Sequence, residues 1–99
     1  MEFEWDEDKR LANIKNHGID FIDVSEVFDG DVFTIEDDSR SGRRCQRYSY
    51  GEQRFVTFGL LKGLVVAVVN TDRGEFIRII SIRKATKNEY RSYFRAIAD

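Results

Sequence analysis

A set of arginines, one carboxylate and one imidazole carries the chemistry available to this chain. Glu52 and Arg54 stand two residues apart, Arg78 and Arg83 flank an isoleucine-rich run, and His17 precedes a glycine. Cleaving RNA without a metal requires a base for the ribose 2′-hydroxyl, cations for the charge that develops on the phosphate, and an acid for the departing 5′-oxygen. Arginines suit the second task because a guanidinium stays charged and binds two phosphate oxygens at once. The set therefore predicts phosphodiester chemistry, with Glu52 or His17 transferring the proton.

Most of these side chains also have a structural alternative. Glu52 and Arg54 share a face if both lie on a strand, so the two could simply form an ion pair. His17 could be a cation that the dipole of a helix C-terminus stabilises. Arg78 is harder to account for, because an arginine in a core strand must reach water or an anion. The sequence has no glycine-rich phosphate loop, no Cys or His cluster and no serine hydrolase elbow, so neither a metal nor a cofactor is predicted.

The composition predicts one folded domain over residues 1–99, because 41% of the residues are hydrophobic and 13% are aromatic. Cys45 is the sole cysteine, which excludes an intrachain disulfide. The N-terminus is acidic rather than basic and apolar, so no signal peptide is predicted, and the apolar run 64–69 is too short to cross a bilayer. We expect a soluble cytoplasmic protein.

The charges are unevenly distributed along the chain. Residues 1–38 hold thirteen Asp and Glu against three Lys and Arg, whereas residues 39–99 hold thirteen Lys and Arg against five Asp and Glu. This split predicts that the basic half contacts nucleic acid while the acidic half faces elsewhere or meets a basic partner. The alternative is that the charges only solvate the surface.

The periodicity predicts an α+β fold with the element order β-α-α-β-β-β-β-α. Helix signals run from Asp6 to the C-cap Gly18, and a second helix opens at Asp20. After a first strand at 3–5, the sequence predicts a strand at 32–36, one at 44–50 that is interrupted at 51–52 and resumes at 53–60, one at 64–71 and one that runs from 76 to its end at 84–85, with a loop at 37–43. Short turns join the last three strands, so we expect an antiparallel meander with the helices packed on one side.

At the junction between the last strand and the last helix, the alternation of side chains along the strand decides whether Arg78 and Arg83 share a face. Thr86 and Glu89 match a capping box, so a helix should begin there. Arg78 and Arg83 are five residues apart and point to opposite faces of a regular strand, so both reach one phosphate only if a bulge intervenes or Arg83 lies past the strand's end. We expect the second arrangement, with the free amides around Thr86 adding to an anion site.

Five pieces of this sequence occur together in a known family. They are FEWDEDK (3–9), NIKNHGI (13–19), GEQR (51–54), Gly59, and RIISIRKAT (78–86) followed by Glu89 and Tyr93. In this order and spacing the chain resembles the BrnT toxins, the toxin half of a bacterial type II toxin–antitoxin pair. The resemblance extends over nearly the whole chain.

The resemblance implies a RelE-like fold with two N-terminal helices and one C-terminal helix, and cleavage of RNA that is independent of the ribosome and arrests growth. It also implies a ribbon-helix-helix antitoxin that neutralises the toxin and supplies the only contact with DNA. The catalytic residues it implies are His17, Glu52, Arg54, Arg78, Arg83 and Tyr93, with the Tyr93 ring stacking on or orienting RNA. The additional RNA-binding candidates are Lys9, Arg44, Arg47 and Lys84. Two other hypotheses stay open: a non-catalytic RNA-binding module, and a protein-interaction module that uses the basic C-terminal half.

Overall fold

Five strands form one sheet in the computed structural model, which describes residues 2–36 and 54–98. The strands are β1 (Glu2–Trp5), β2 (Phe33–Glu36), β3 (Arg54–Leu61), β4 (Leu64–Arg73) and β5 (Phe76–Lys84). The helices are α1 (Glu7–His17), a 3₁₀ turn (Phe21–Asp23), α2 (Val24–Asp29) and α3 (Lys87–Ala98). The strand order across the sheet is β1-β5-β4-β3-β2. The loop predicted at 37–43 and the strand predicted at 44–50 lie outside the described residues.

The antiparallel meander is confirmed for β3, β4 and β5, and β2 pairs with β3 in the same sense. The meander does not extend to the other edge, where β1 pairs with β5 in parallel, Glu2 beside Phe76 and Trp5 beside Ile79. Parallel pairing needs a long connection, and β1 and β5 are separated by most of the chain. The sheet is therefore mixed.

Helices cover both faces of the sheet, which corrects the prediction that they pack on one side. Cross-strand partners share a face, so the pairing assigns each strand residue to a side. The α2 side has a core of Phe21, Val24, Val27, Leu61, Val66, Val68, Ile79 and Ile82. The α3 side has a core of Val56, Phe58, Val65, Ala67 and Tyr93. Two helix layers are required because β3 and β4 carry apolar side chains on both faces.

The helix ends follow the predicted caps. Asp6 accepts a hydrogen bond from the backbone N–H of Asp8 at 2.9 Å, and Gly18 ends α1 in the left-handed conformation with φ 72°. Asp20 accepts from the backbone N–H of Ile22 and also binds Arg10 of α1, with 2.9 Å between Arg10 Nη1 and Asp20 Oδ2. These local contacts fix the angle between α1 and the 3₁₀ turn.

A buried asparagine, rather than an apolar stripe, attaches α1 to the sheet. Leu11 is 52% exposed and Ile14 is 36% exposed, while Asn13 is buried. The Asn13 amide donates to Ile82 O at 2.9 Å and accepts from Ile82 N at 3.1 Å, and it also donates to Ile19 O. The pairing with β1 ends at Ile79, so the Asn13 side chain takes the place of a strand partner further along β5. Helix α1 consequently packs at the β5 edge.

Candidate functional site

A bulge in β5 places the two arginines of the strand-to-helix junction on one face. Val69 pairs with Ser81, but the next residue of β4 pairs with Ile79, so Ile80 is an extra residue in β5. The insertion reverses the alternation, and Ile79 and Ile82, three residues apart, both enter the core of the α2 side. Arg78 pairs with Thr71 and Arg83 with Ala67, and both arginines therefore face the α3 side.

Arg78 belongs to a polar row that crosses four strands. The row consists of Glu4 on β1, Arg78 on β5, Thr71 on β4 and Arg54 on β3, each beside the next in the pairing register. Arg78 Nη1 lies 3.4 Å from Glu4 Oε2, and Thr71 is buried between the two arginines. Two strand spacings put the Cα atoms of Arg54 and Arg78 about 10 Å apart, so both guanidinium groups can reach one anion. Glu4 and Thr71 are not predictable as site residues from the sequence, because only strand register brings them to this row.

Arg83 is bound by a carboxylate of the chain itself. Its Nη1 lies 2.8 Å from Glu89 Oε1 and its Nη2 lies 3.1 Å from Glu89 Oε2. The hydrogen bond from Arg83 lowers the pKa of the Glu89 carboxyl, and the bond from Glu89 raises the pKa of Arg83. Glu89 also accepts from the backbone N–H of Thr86 at 2.9 Å, while Thr86 Oγ1 accepts from Glu89 N, which confirms the capping box.

Two predictions about Arg83 are therefore wrong. The residue is paired within β5, which continues to Lys84, and does not lie beyond a frayed strand end. The position predicted for a bound anion near Thr86 is occupied by the Glu89 carboxylate. The bulge is the device that brings Arg83 to the same face as Arg78.

Tyr93 lies inside the core of the α3 side, with no exposed surface, and its hydroxyl donates to the backbone carbonyl of Asp31 at 2.8 Å. Burial raises the pKa of this hydroxyl. The placement corrects the prediction that the ring stacks on RNA. Tyr93 is the buried residue of α3, whereas its neighbours Tyr90 and Phe94 are exposed.

The predicted residues of α1 and the last residue of β5 are not brought to the arginine row. Helix α1 begins next to the end of β1, which pairs with Ile79, and its Asn13 contacts Ile82 further along β5. The helix therefore runs away from Arg78, and His17 lies at its far end. Lys9 is exposed on the same helix, and Lys84 faces the α2 side because it pairs with Val66. Glu52, Arg44 and Arg47 lie outside the described residues.

The charges separate by face. On the strands, the charged residues that face α3 are Arg54, Arg73, Arg78 and Arg83 together with Glu2 and Glu4, whereas those that face α2 are Glu36, Asp72 and Lys84. Helix α3 adds three cations and one carboxylate, while the 3₁₀ turn and α2 add three carboxylates and no cation. Cations therefore outnumber carboxylates on the strands and helix of the α3 side, and carboxylates outnumber cations among the strand, 3₁₀-turn and α2 residues of the other side.

Two other kinds of site are absent from the part of the chain that the structure describes. No group of three or more His, Cys, Asp or Glu side chains in residues 2–36 and 54–98 is arranged to hold a metal ion. Within the same ranges, no helix combines the length and the apolarity needed to cross a bilayer.

Comparison with known proteins identifies the family. Residues 5–89 match the family model described as the ribonuclease toxin BrnT of a type II toxin–antitoxin system. The chain belongs to the BrnT family. The BrnT fold is also found in the crystal structure of the Brucella abortus ribonuclease toxin BrnT, which is 28% identical in sequence and aligns with a TM-score of 0.60 over 88% of this chain and 99% of that one. No match was found among curated proteins.

Membership in the BrnT family makes this chain a ribonuclease toxin of a type II toxin–antitoxin system, with RNA as substrate and an antitoxin as partner. The matched residues include the whole junction from Arg78 to Glu89. Within the described BrnT domain, the arginine row is the place where the chemistry predicted from the sequence and the observed geometry coincide.

Proposed function

We propose that this toxin is an endoribonuclease that cleaves RNA in the cytoplasm without a ribosome and without a metal ion. A ribbon-helix-helix antitoxin neutralises it and provides its only contact with DNA. One observation carries the proposal: Arg54 and Arg78 flank the buried Thr71 in a single row on the α3 side.

The two arginines hold the scissile phosphate. Their strands fix both backbones, so the guanidinium groups are positioned before RNA arrives and stabilise the charge that develops in the transition state. Glu4 lies within 3.4 Å of Arg78 and keeps its side chain in the row until the phosphate binds. Arg83 is bound to Glu89 and acts as a positioning residue that ties α3 to β5.

Glu52 is the proposed base for the 2′-hydroxyl. It lies outside the described residues, but it precedes Arg54 by two positions, so its Cα atom is within about 7 Å of the Arg54 Cα. His17 is less suited to this role because α1 carries it away from Arg78. Arg44 and Arg47 stay predictions for binding the RNA strand, whereas Lys9 and Lys84 lie away from the row.

The test measures decay of a labelled RNA by purified toxin, without ribosomes and in the presence of EDTA. We expect Arg54→Ala and Arg78→Ala to slow decay by about 100-fold or more each, since removing one donor to a transition-state oxyanion has an effect of that order. Arg95→Ala removes the same charge from an exposed position of α3 and is the matched control, with decay near that of the parent.

Three outcomes would contradict parts of the proposal. Arginine variants that fold and cleave like the parent would exclude the row as the phosphate site. Loss of decay in EDTA, restored by a divalent cation, would exclude metal-free cleavage. Salt-sensitive RNA binding without cleavage by the parent would favour the non-catalytic module.

A further inference from the structure

A groove opens on the α2 side of the sheet, on the face opposite the arginine row. Its volume is about 620 Å³, and its walls include the rings of Phe28 and Phe55 and the side chain of Ile77. Thr34, Thr57 and Asn70 form the floor, and Asp72 and Glu75 stand at the rim. The groove combines aromatic surface, neutral polar groups and carboxylates.

The floor of the groove presents a hydrogen-bond acceptor. Asn70 is buried, and its Nδ2 group donates to Thr57 Oγ1 at 3.1 Å and to Val68 O at 2.9 Å. These two bonds use both amide hydrogens and fix the orientation of the side chain. Neither of the two bonds that Asn70 forms with described residues uses its Oδ1 atom, which leaves this acceptor for a ligand. The Thr57 hydroxyl is also bonded to that of Thr34, at 3.0 Å, so the floor is rigid.

The rim adds two carboxylates that no described residue neutralises. Asp72 and Glu75 are exposed, and neither forms an ion pair with another described residue. No Lys or Arg is found among the described residues that line the groove. A ligand in the groove therefore contacts hydrogen-bond acceptors and aromatic faces. Because the described lining carries no positive charge, the groove favours a ligand that is itself cationic.

We propose that this groove docks an arginine- or lysine-bearing segment of the antitoxin, an inference that rests on the proposed function. A cationic side chain satisfies all three features: its N–H groups donate to Asn70 Oδ1 and to the rim carboxylates, and its charge lies against the faces of Phe28 and Phe55. The acidic 3₁₀ turn and α2 border the same side and steer a basic segment toward it.

The same features disfavour RNA as the occupant. A phosphate backbone approaching the groove meets the carboxylates of Asp72 and Glu75 and finds no cation lining it among the described residues. The toxin thus offers RNA and its antitoxin chemically opposite faces, so the antitoxin segment is anchored without competing for the arginine row.

The test measures binding of the antitoxin encoded beside the toxin gene to the parent toxin and to an Asp72→Asn/Glu75→Gln variant, by calorimetry at low and high salt. We expect the variant to bind about tenfold more weakly or worse, with a smaller salt dependence. Its RNA decay in the absence of antitoxin should equal that of the parent. A Glu2→Gln/Asp8→Asn variant has the same change in net charge at exposed positions outside the groove and should bind like the parent.

An alanine scan of the antitoxin's arginines and lysines identifies the docked residue. At least one substitution should be non-additive with Asp72→Asn/Glu75→Gln in a double-mutant cycle, because only contacting groups couple. Unchanged affinity of the groove variant, or an equal loss in the control variant, would overturn the inference. So would slower RNA decay or altered self-association of the groove variant, which would assign the groove to RNA or to a second copy. A parent toxin that cleaves RNA but binds no antitoxin would overturn both the inference and the proposed partner.

Discussion

The two faces of the sheet have different properties because different elements cover them. On the α3 side, four arginines of β3, β4 and β5 accompany a helix with three cations. On the α2 side, a helix without cations borders a groove with a carboxylate rim. The first face has the groups that a phosphate requires, and the second has the groups that a cation requires. A single five-stranded sheet therefore separates two kinds of binding chemistry that would interfere on one surface.

Different contacts hold the helices to the two faces of the sheet. The α2 side depends on close contacts and buried polar groups, such as Asn13 against β5 and Gly59 beneath α2. The α3 side is held by a small core, one hydroxyl bond from Tyr93 and the Arg83–Glu89 pair. Substitutions on the first set should change stability most, and those on the second should change it less.

The largest loss of stability is expected for Asn13→Leu. It leaves the N–H and the C=O of Ile82 buried without partners, which costs about 3 kcal/mol in the free energy of unfolding. Urea unfolding measures the change. Asn16→Leu makes the same replacement at an exposed position of α1 and should alter stability by less than about 0.5 kcal/mol. Equal stability of the Asn13 variant and the parent would show that another group supports the β5 edge.

A smaller loss is expected for Gly59→Ala. A Cβ atom at this position would lie 2.7 Å from Val27 Cγ1 and 3.3 Å from Val27 O, so α2 must shift away from β3. Overpacking of this kind costs about 1–3 kcal/mol. Gly30→Ala is the control, because nothing lies within 4 Å of its added Cβ and its φ is −99°. Thermal unfolding of the two variants should differ clearly, and equal midpoints would contradict the close approach of α2.

Local features of this fold were predictable from sequence, and pairing across the sheet was not. Asp6, Gly18 and the Thr86–Glu89 box act within four residues, so their identities suffice. The bulge at Ile80 depends on the pairing register of β5 with β4, and the residue type at that position does not predict it. For the same reason the family motifs supplied Arg54 and Arg78, but only register placed them in one row with Glu4.

Tyr93 shows that a matching position in a family motif does not establish a role in the site. The residue lies on the packed stripe of α3, yet a motif position does not reveal whether a ring faces the core or the solvent. Tyr93→Phe removes only the hydroxyl bond to Asp31 O and should cost about 1 kcal/mol while leaving RNA decay unchanged. Tyr90→Phe, at a position that is 51% exposed, is the control and should be neutral. A large loss of RNA decay in Tyr93→Phe, with an intact fold, would restore a catalytic role for the hydroxyl.

The smallest loss of stability is expected when the Arg83–Glu89 pair is broken. The dependence of this loss on pH distinguishes it from the losses above. The pKa of Glu89 is lowered in the folded state, with the hydrogen bond from Arg83 as the main cause. Its contribution is therefore fully present above the unfolded pKa of the carboxyl, near 4.5, and is lost as the pH falls through the lower folded value. The side chains are 35% and 26% exposed, so solvent limits the contribution to about 0.5–1 kcal/mol.

Glu89→Gln isolates this charge, because glutamine keeps the hydrogen-bonding role of the capping box. At neutral pH the variant should be less stable than the parent by that small amount, and the difference should vanish below the folded pKa of Glu89, where the parent carboxyl is also neutral. Glu2→Gln removes the same charge at an exposed position of β1 and is the control for the loss of one carboxylate at neutral pH. Should RNA decay rise in Glu89→Gln, the freed Arg83 guanidinium would be contributing to the phosphate site. Unchanged decay would leave Arg83 as the residue that ties α3 to β5.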